Sequence, residues 1–312
     1  MTAQSKGKVK AKYIIKKPNE ICKKSDDNQQ VKYGNELNEV PFKRFKAVEM
    51  NLFFSIVSQM RDRDTQTIRF PFSNLKKISR YAHGDSKRFV QDLKNTYHKM
   101  LALTIYNQAE GDYDEWVLFT HFHISSKKKF VDISVNPDPH MQTILNNISR
   151  WTRFSLLQFN NLKSSYSKTI FRLCKQYRTT GILFLWSKQF KDQLGIPKSY
   201  QNRDIDRRVL NLAKLELRHI WPEFDYGKRK SKKRGHKVLG YYFVWNKEAK
   251  NNRDIVNPNY NNDFSSDWNK KKTSRKSKKV YAKENPKKVG SGKKIHKISN
   301  SEVQKALKGL KN

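Results

Sequence analysis

Residues 181–220 read GILFLWSKQFKDQLGIPKSYQNRDIDRRVLNLAKLELRHI. The run GILFLW is short, apolar and β-prone, and it ends at Ser187, a residue suited to capping the N-terminus of a helix. The helix KQFKDQLG stops at Gly195, and the turn IPKSYQ leads into a longer one. There Ile205, Val209, Ala213, Leu217 and Ile220 recur at three- or four-residue spacing and mark one buried face. Upstream, Leu162, Tyr166, Ile170, Leu173 and Tyr177 predict a preceding helix. Downstream, PEFDY and VLGYYFVW predict two strands separated by the basic loop GKRKSKKRGHK.

The first half of the chain follows the same plan. Val48, Leu52, Ile56 and Met60 predict an opening helix, TIRF a strand, and Ser73 the cap of a short helix, NLKKISRY. After an HGD turn, Phe89, Leu93, Tyr97 and Leu101 mark a longer helix. The β-rich segments LALTIYNQ, EWVLFTHFHI and FVDISV follow, joined by AEGDYD and SSKKK turns. Helix, strand, helix, helix and ribbon is the order of a winged helix-turn-helix. The fold class is therefore α+β, with two tandem winged domains at residues 35–148 and 149–247. The element order repeats but the residues do not. The arm 1–34 and the tail 248–312 are basic and too poor in apolar residues to offset the entropy of ordering, so both read as disordered. SNSEVQKALKGLKN is a short helix that forms only on a partner. VGSGKK fails as a phosphate loop because Lys287 and Lys294 stand where Gly and Ser or Thr are required.

Charge points to the partner. The 312 residues carry 66 Lys+Arg against 28 Asp+Glu, a formal net charge of +38. Such an excess repels itself unless a polyanion neutralises it, which makes double-stranded DNA the expected partner. A membrane surface is the competing polyanion, but runs such as GILFLW are far too short to span a bilayer. The N-terminus lacks a signal-peptide core, so the expected location is the cytoplasm. Cys22 and Cys174 are the only cysteines, too few for a zinc framework. Cys174 sits on an apolar helical stripe and reads as a buried thiol. No cofactor and no metal is expected.

On the long helix of the second domain, Arg203, Arg207, Asn211, Lys214 and Arg218 form a stripe opposite the apolar face. Lys198, Ser199, Tyr200 and Asn202, in and after the preceding turn, add donors for phosphates and base edges. The wing supplies Lys228, Arg229, Lys230, Lys232, Lys233 and Arg234, suited to tracking the phosphate backbone. Arg203 and Arg207 are the candidates for reading guanine, since a guanidinium fork matches its O6 and N7. The first domain offers Lys87, Gln91 and Lys94, with Asn95 and His98 on the same face. Its ribbon turn AEGDYDE is acidic and would be repelled by phosphate, so part of this domain is expected to face a protein.

Three stretches resemble the initiator (Rep) proteins of iteron-containing, theta-replicating bacterial plasmids. FNNLKSSYSKTIFRLCKQYRTTG, residues 159–181, resembles the first helix of that family's second domain. WVLFTHFHISSKKKFVDISVNP resembles its first-domain ribbon, and FKAVEMNLFFSIVSQM its opening helix. The likeness spans roughly residues 36–247. It implies binding to iterons as a monomer through both winged domains, help in melting an adjacent A·T-rich segment, and recruitment of the host replicative helicase and initiator proteins. It also implies a homodimer, formed largely through the first domain, in equilibrium with the monomer and repressing its own promoter.

Two alternatives compete. A transcriptional repressor with two winged domains would share every binding feature. FTHFHIS, residues 119–125, holds the His-hydrophobic-His pattern of rolling-circle nickases, with His121 and His123 on one face of a strand and Phe122 on the other. That chemistry also needs a tyrosine followed three residues later by Lys. Tyr166, Tyr177 and Tyr97 are followed at that spacing by Thr169, Thr180 and Met100. Tyr13 alone fits the spacing, and it precedes the histidines. The expectation is a strand-surface pair and no enzymatic activity.

Overall fold

The structure is a computed structural model. It describes residues 29–64, 66–109, 111–232, 235–249 and 254, with the backbone of Glu20–Ile21. Its first strand pair is β1 (Glu20–Ile21), which lies parallel to β3 (Thr67–Pro71). Next, β2 (Gln30–Gly34) pairs antiparallel with β8 (Trp151–Ser155). Residues 30–34 fall in the arm expected to be disordered, so that boundary is corrected. Val31 and Tyr33 alternate inward and are fully buried, giving a five-residue strand a reason to dock.

Helix α1 (Ala47–Met60) is buried along most of its length and packs on α3 (Ser86–Met100) and on β2. Around it sits a phenylalanine core. Phe54 lies 4.8 Å from Phe159 and 5.4 Å from Phe42, and Phe42 lies 5.0 Å from Phe53. Helix α2 (Phe72–Ile78) follows β3 directly. Beyond α3, the ribbon β4 (Thr104–Ala109) and β5 (Asp112–Val117) forms its own two-stranded sheet. EWVLFTHFHI is not one strand. It breaks at buried Leu118, and β6 (Phe119–Ser125) joins β7 (Phe130–Val135) in a sheet of order β1-β3-β7-β6. Helix α4 (Pro139–Leu145) went unread in the sequence. Asp138 caps it, accepting from the His140 amide at 2.9 Å, with Pro139 in its first turn.

The helix read from Leu162 to Tyr177 starts three residues later than read, because Leu162 ends a separate short helix that precedes it. After α5 (Leu156–Asn161) the chain turns, and Ser164 accepts from the Ser167 amide at the start of α6 (Ser165–Gln176). Strand β9 (Ile182–Trp186), helix α7 (Ser187–Leu194) and the hairpin β10 (Asp225–Lys230) and β11 (Val238–Val244) follow, in sheet order β10-β11-β9. Between them runs α8 (Asn202–Ile205), continuing through a π-helical turn (Asp206–Leu210) into α9 (Asn211–Leu217).

Ser73 and Ser187 are not N-caps. Their helices begin at Phe72 and Ser187, and the preceding Pro71 and Trp186 make no side-chain cap. Leu101 is 41% exposed because α3 ends at Met100, and Thr96 and Met100 fill the core instead. Tyr177, at the C-cap of α6, is likewise 39% exposed.

The two winged units share one continuous core. Fully buried Arg172 of α6 donates to Leu37 O and Val40 O, both at 2.9 Å, and to Asn38 Oδ1 at 3.0 Å. An ionic cluster ties the second unit to the residues that follow it. Asp254 accepts from Arg153 of β8 at 3.0 Å, Lys175 at 3.0 Å and Arg178 at 2.9 Å. Glu248 accepts from Lys175 and from Trp221 Nε1, each at 2.7 Å. Asp254 is buried although it lies inside the tail read as disordered, which corrects that reading at this residue. The terminal helix and the rejected phosphate loop lie outside the described residues.

Candidate nucleic-acid interface

The α8–α9 helix begins with a reciprocal cap between Gln201 and Asp204, whose carboxylate accepts from the Gln201 amide at 3.3 Å. Ile205, Val209, Ala213 and Leu217 are fully buried, as their spacing predicts. The π turn adds a residue to the period, so Leu210 is buried beside Val209 while Arg207 and Arg208 are both exposed. Arg208 was missed for that reason. A regular 3.6-residue helix leaves it off the stripe, and the only sequence signal is the doublet RRVL.

The stripe divides into two parts. At its N-terminal end Arg203 is exposed with no acidic partner among the described residues, and Arg207 lies 3.6 Å from Asp204 with most of its side chain in solvent. Arg208 lies over the Tyr200 ring at 5.2 Å and reaches Asp204 at 3.5 Å. The C-terminal part is tied to the wing. Asn211 accepts from Tyr226 Oη at 2.7 Å, Lys214 lies 2.7 Å from Asp225, and Arg218 donates to Phe224 O at 3.0 Å. Burial and the carboxylates of Asp206 and Asp225 raise the Tyr226 phenol above its ordinary range, keeping it a neutral donor. These residues orient the hairpin against the helix.

The wing departs from its sequence reading. Strand β10 runs through Lys230, so Lys228, Arg229 and Lys230 lie on a strand and alternate in direction. Lys228 turns toward the helix and forms an ion pair with Asp206. Arg229 turns to the opposite face, over Trp186 at 5.3 Å and Phe184 at 6.0 Å. Lys230 and Lys232 are exposed near the tip, while Lys233 and Arg234 lie outside the described residues. In the preceding turn Lys198 and Ser199 are exposed, as is Asn202 at the helix start; Tyr200 is half-buried against Arg208.

In the first domain Asp85 caps α3, accepting from the Lys87 amide at 2.9 Å and the Arg88 amide at 3.4 Å. Lys87, Gln91 and Lys94 are exposed together, as is Arg88, which the sequence reading omitted. Gln91 donates to Asn95 at 2.9 Å. The β4–β5 ribbon presents Asp112, Asp114 and Glu115 beside Tyr106 and Tyr113, whose exposed rings stack at 6.2 Å. Next to it, Phe122 stacks on Tyr97 at 4.5 Å, and His123 faces Phe130 at 5.8 Å. Asp132, the cross-strand neighbour of His123, is held by Arg69 through two bonds of 2.8 and 2.9 Å. Among the described residues no three His, Cys, Asp or Glu gather as metal ligands. Burial pushes the Cys174 thiol well up, as befits a core residue.

This arrangement can hold a duplex by two exposed helix faces. Two family models match the chain: Initiator Replication protein, WH1, over residues 30–175, and Initiator Rep protein, WH2, over residues 188–245. The chain belongs to this initiator family. A similar protein is the probable replication protein rep of Bifidobacterium longum (strain NCC 2705), 32% identical over 198 residues. That match covers 63% of this chain, which spans 64% of the relative's length. Among solved structures, the Pi initiator protein in complex with iteron DNA is similar in fold. Its TM-score is 0.53 at 15% identity, covering 72% of this chain and all of that one. No helix among the described residues is long and apolar enough to cross a membrane.

Proposed function

We propose that this initiator-family protein starts plasmid replication in the bacterial cytoplasm by binding repeated double-stranded DNA sites at the origin. The observation that carries the reading is the open arginine cluster at the N-terminal half of the second domain's long helix. Arg203, Arg207 and Arg208 stand exposed there, where a helix-turn-helix meets base edges. Exposed Lys87, Arg88, Gln91 and Lys94 on α3 give the same chain a second, weaker contact. Iteron DNA is the ligand in the complex of the structurally similar Pi initiator. In this reading Arg203 and Arg207 contact guanines. Lys198, Ser199, Asn202, Lys230, Lys232, Lys233 and Arg234 contact phosphates.

The further steps follow from the family resemblance. Bound monomers help open an adjacent A·T-rich segment and recruit the host helicase and initiator proteins. Dimers paired through the first domain repress the gene's own promoter. The acidic tyrosine ribbon supports a protein-facing role for that domain. Footprinting on DNA flanking the gene tests the proposal. Tandem protected repeats spaced about two helical turns apart are expected of an initiator. A single palindrome and no tandem array would instead make the protein a repressor.

A further inference from the structure

The β10-β11-β9 sheet has two faces, and the helices cover one. Tyr226 and Lys228 point inward to α8–α9, as do Tyr241 and Phe243 to the core. The alternate residues, Ile182, Phe184 and Trp186 on β9, Tyr242 and Val244 on β11, and Arg229 on β10, form the outer face. No described element packs over Trp186, which is 52% exposed.

Glycines shape this face. Gly227 lies under the Tyr242 ring and Gly240 under the Phe184 ring, so closely that a Cβ at either position would run into the ring. The tips of both rings therefore reach across the neighbouring strand, over a glycine, and do not stand off the sheet. Trp186 stands edge-on to Phe184 at 5.0 Å, and the Arg229 guanidinium lies over both. Exposed Lys188 and Lys247 flank the face. Asp225, at the end of the sheet, is paired with Lys214 and Arg218. A cleft of about 640 Å³ runs along the free edge of β9, bounded by Glu39, Tyr177, Phe184, Gln189 and Lys247. That volume is far smaller than a segment of duplex requires.

We infer that this outer face is a binding site for single-stranded DNA, in which bases stack on Trp186, Phe184 and Tyr242 while Arg229 and the flanking lysines meet the phosphates. Aromatic rings beside cations bind single strands with little regard to sequence, because every base offers a π-face. The duplex-facing arginines lie on the helix across the sheet, so a single strand and a duplex can be held at once. That the bound strand is one exposed by origin opening rests on the proposed function; the site itself does not.

The test uses the full chain, a labelled thymidine oligonucleotide and a random duplex of equal length, at one salt concentration. Trp186→Ala is expected to weaken oligothymidine binding about tenfold. It should leave duplex binding unchanged, and Trp186→Phe should retain most of the single-strand affinity. Arg229→Ala, a surface change, is expected to lower single-strand affinity severalfold. The inference is overturned by a wild-type chain that prefers duplex alone, by equal loss on both DNAs, or by Trp186→Phe as weak as Trp186→Ala. A face reserved for a protein partner would give the first of these results.

Discussion

In the first domain the ribbon β4–β5 carries Asp112, Asp114 and Glu115 beside two exposed tyrosines. In the second, the hairpin β10–β11 carries Arg229, Lys230 and Lys232. Their frames are alike, since each follows a helix with an exposed basic face. The ribbons differ in what anchors them. The second hairpin is fastened to its helix by Lys228–Asp206, Lys214–Asp225 and Tyr226–Asn211, which fix it beside whatever α8–α9 touches. The first ribbon is a separate two-stranded sheet with an acidic tip. One frame thus serves two purposes: a basic wing favours the phosphate backbone, whereas an acidic ribbon avoids it.

The largest expected effect concerns what the domains share. Arg172→Met removes the donor to Leu37 O, Val40 O and Asn38, leaving buried acceptors unsatisfied. It should cost about 3 kcal/mol or more, read as a lower denaturation midpoint. An unchanged midpoint would mean that the domains stand independently. Next comes Arg207→Ala, which should weaken specific sites more than random DNA, by about 1–3 kcal/mol. Equal loss on both would reduce Arg207 to a phosphate contact. The smallest effect sharpens the contrast between ribbons. Converting Asp112, Asp114 and Glu115 to their amides should raise affinity for random DNA about two- to threefold and steepen its salt dependence. A decrease would place the acidic ribbon's carboxylates in a contact that DNA binding needs.

Much of this was legible in the sequence. The buried stripe Ile205, Val209, Ala213 and Leu217, the strand GILFLW and the opening helix around Leu52 and Ile56 have the period of their elements and large apolar side chains. What escaped was set by long-range contact. Gln30–Gly34 is a strand only because Trp151–Ser155 lies beside it, and Asp254 is buried only because Arg153, Lys175 and Arg178 converge on it. The break at Leu118 depends on a change of strand partner, which periodicity does not record. In the interface, Arg203 and Arg207 stand where the helical period puts them. The π turn that exposes Arg208, and the strand alternation that sends Lys228 and Arg229 to opposite faces, depend on local geometry that a charge run conceals.

The central claim is that one chain lays two helices into successive major grooves, with the second as the main reader. Purine-methylation interference on a single binding site tests it most directly. The account predicts two blocks of interfering purines on one face of the duplex, about 10 base pairs apart, and an Arg203→Ala/Arg207→Ala double variant that loses one block and keeps the other. A single block for the wild-type chain, or loss of both blocks in the variant while it stays folded, would contradict it.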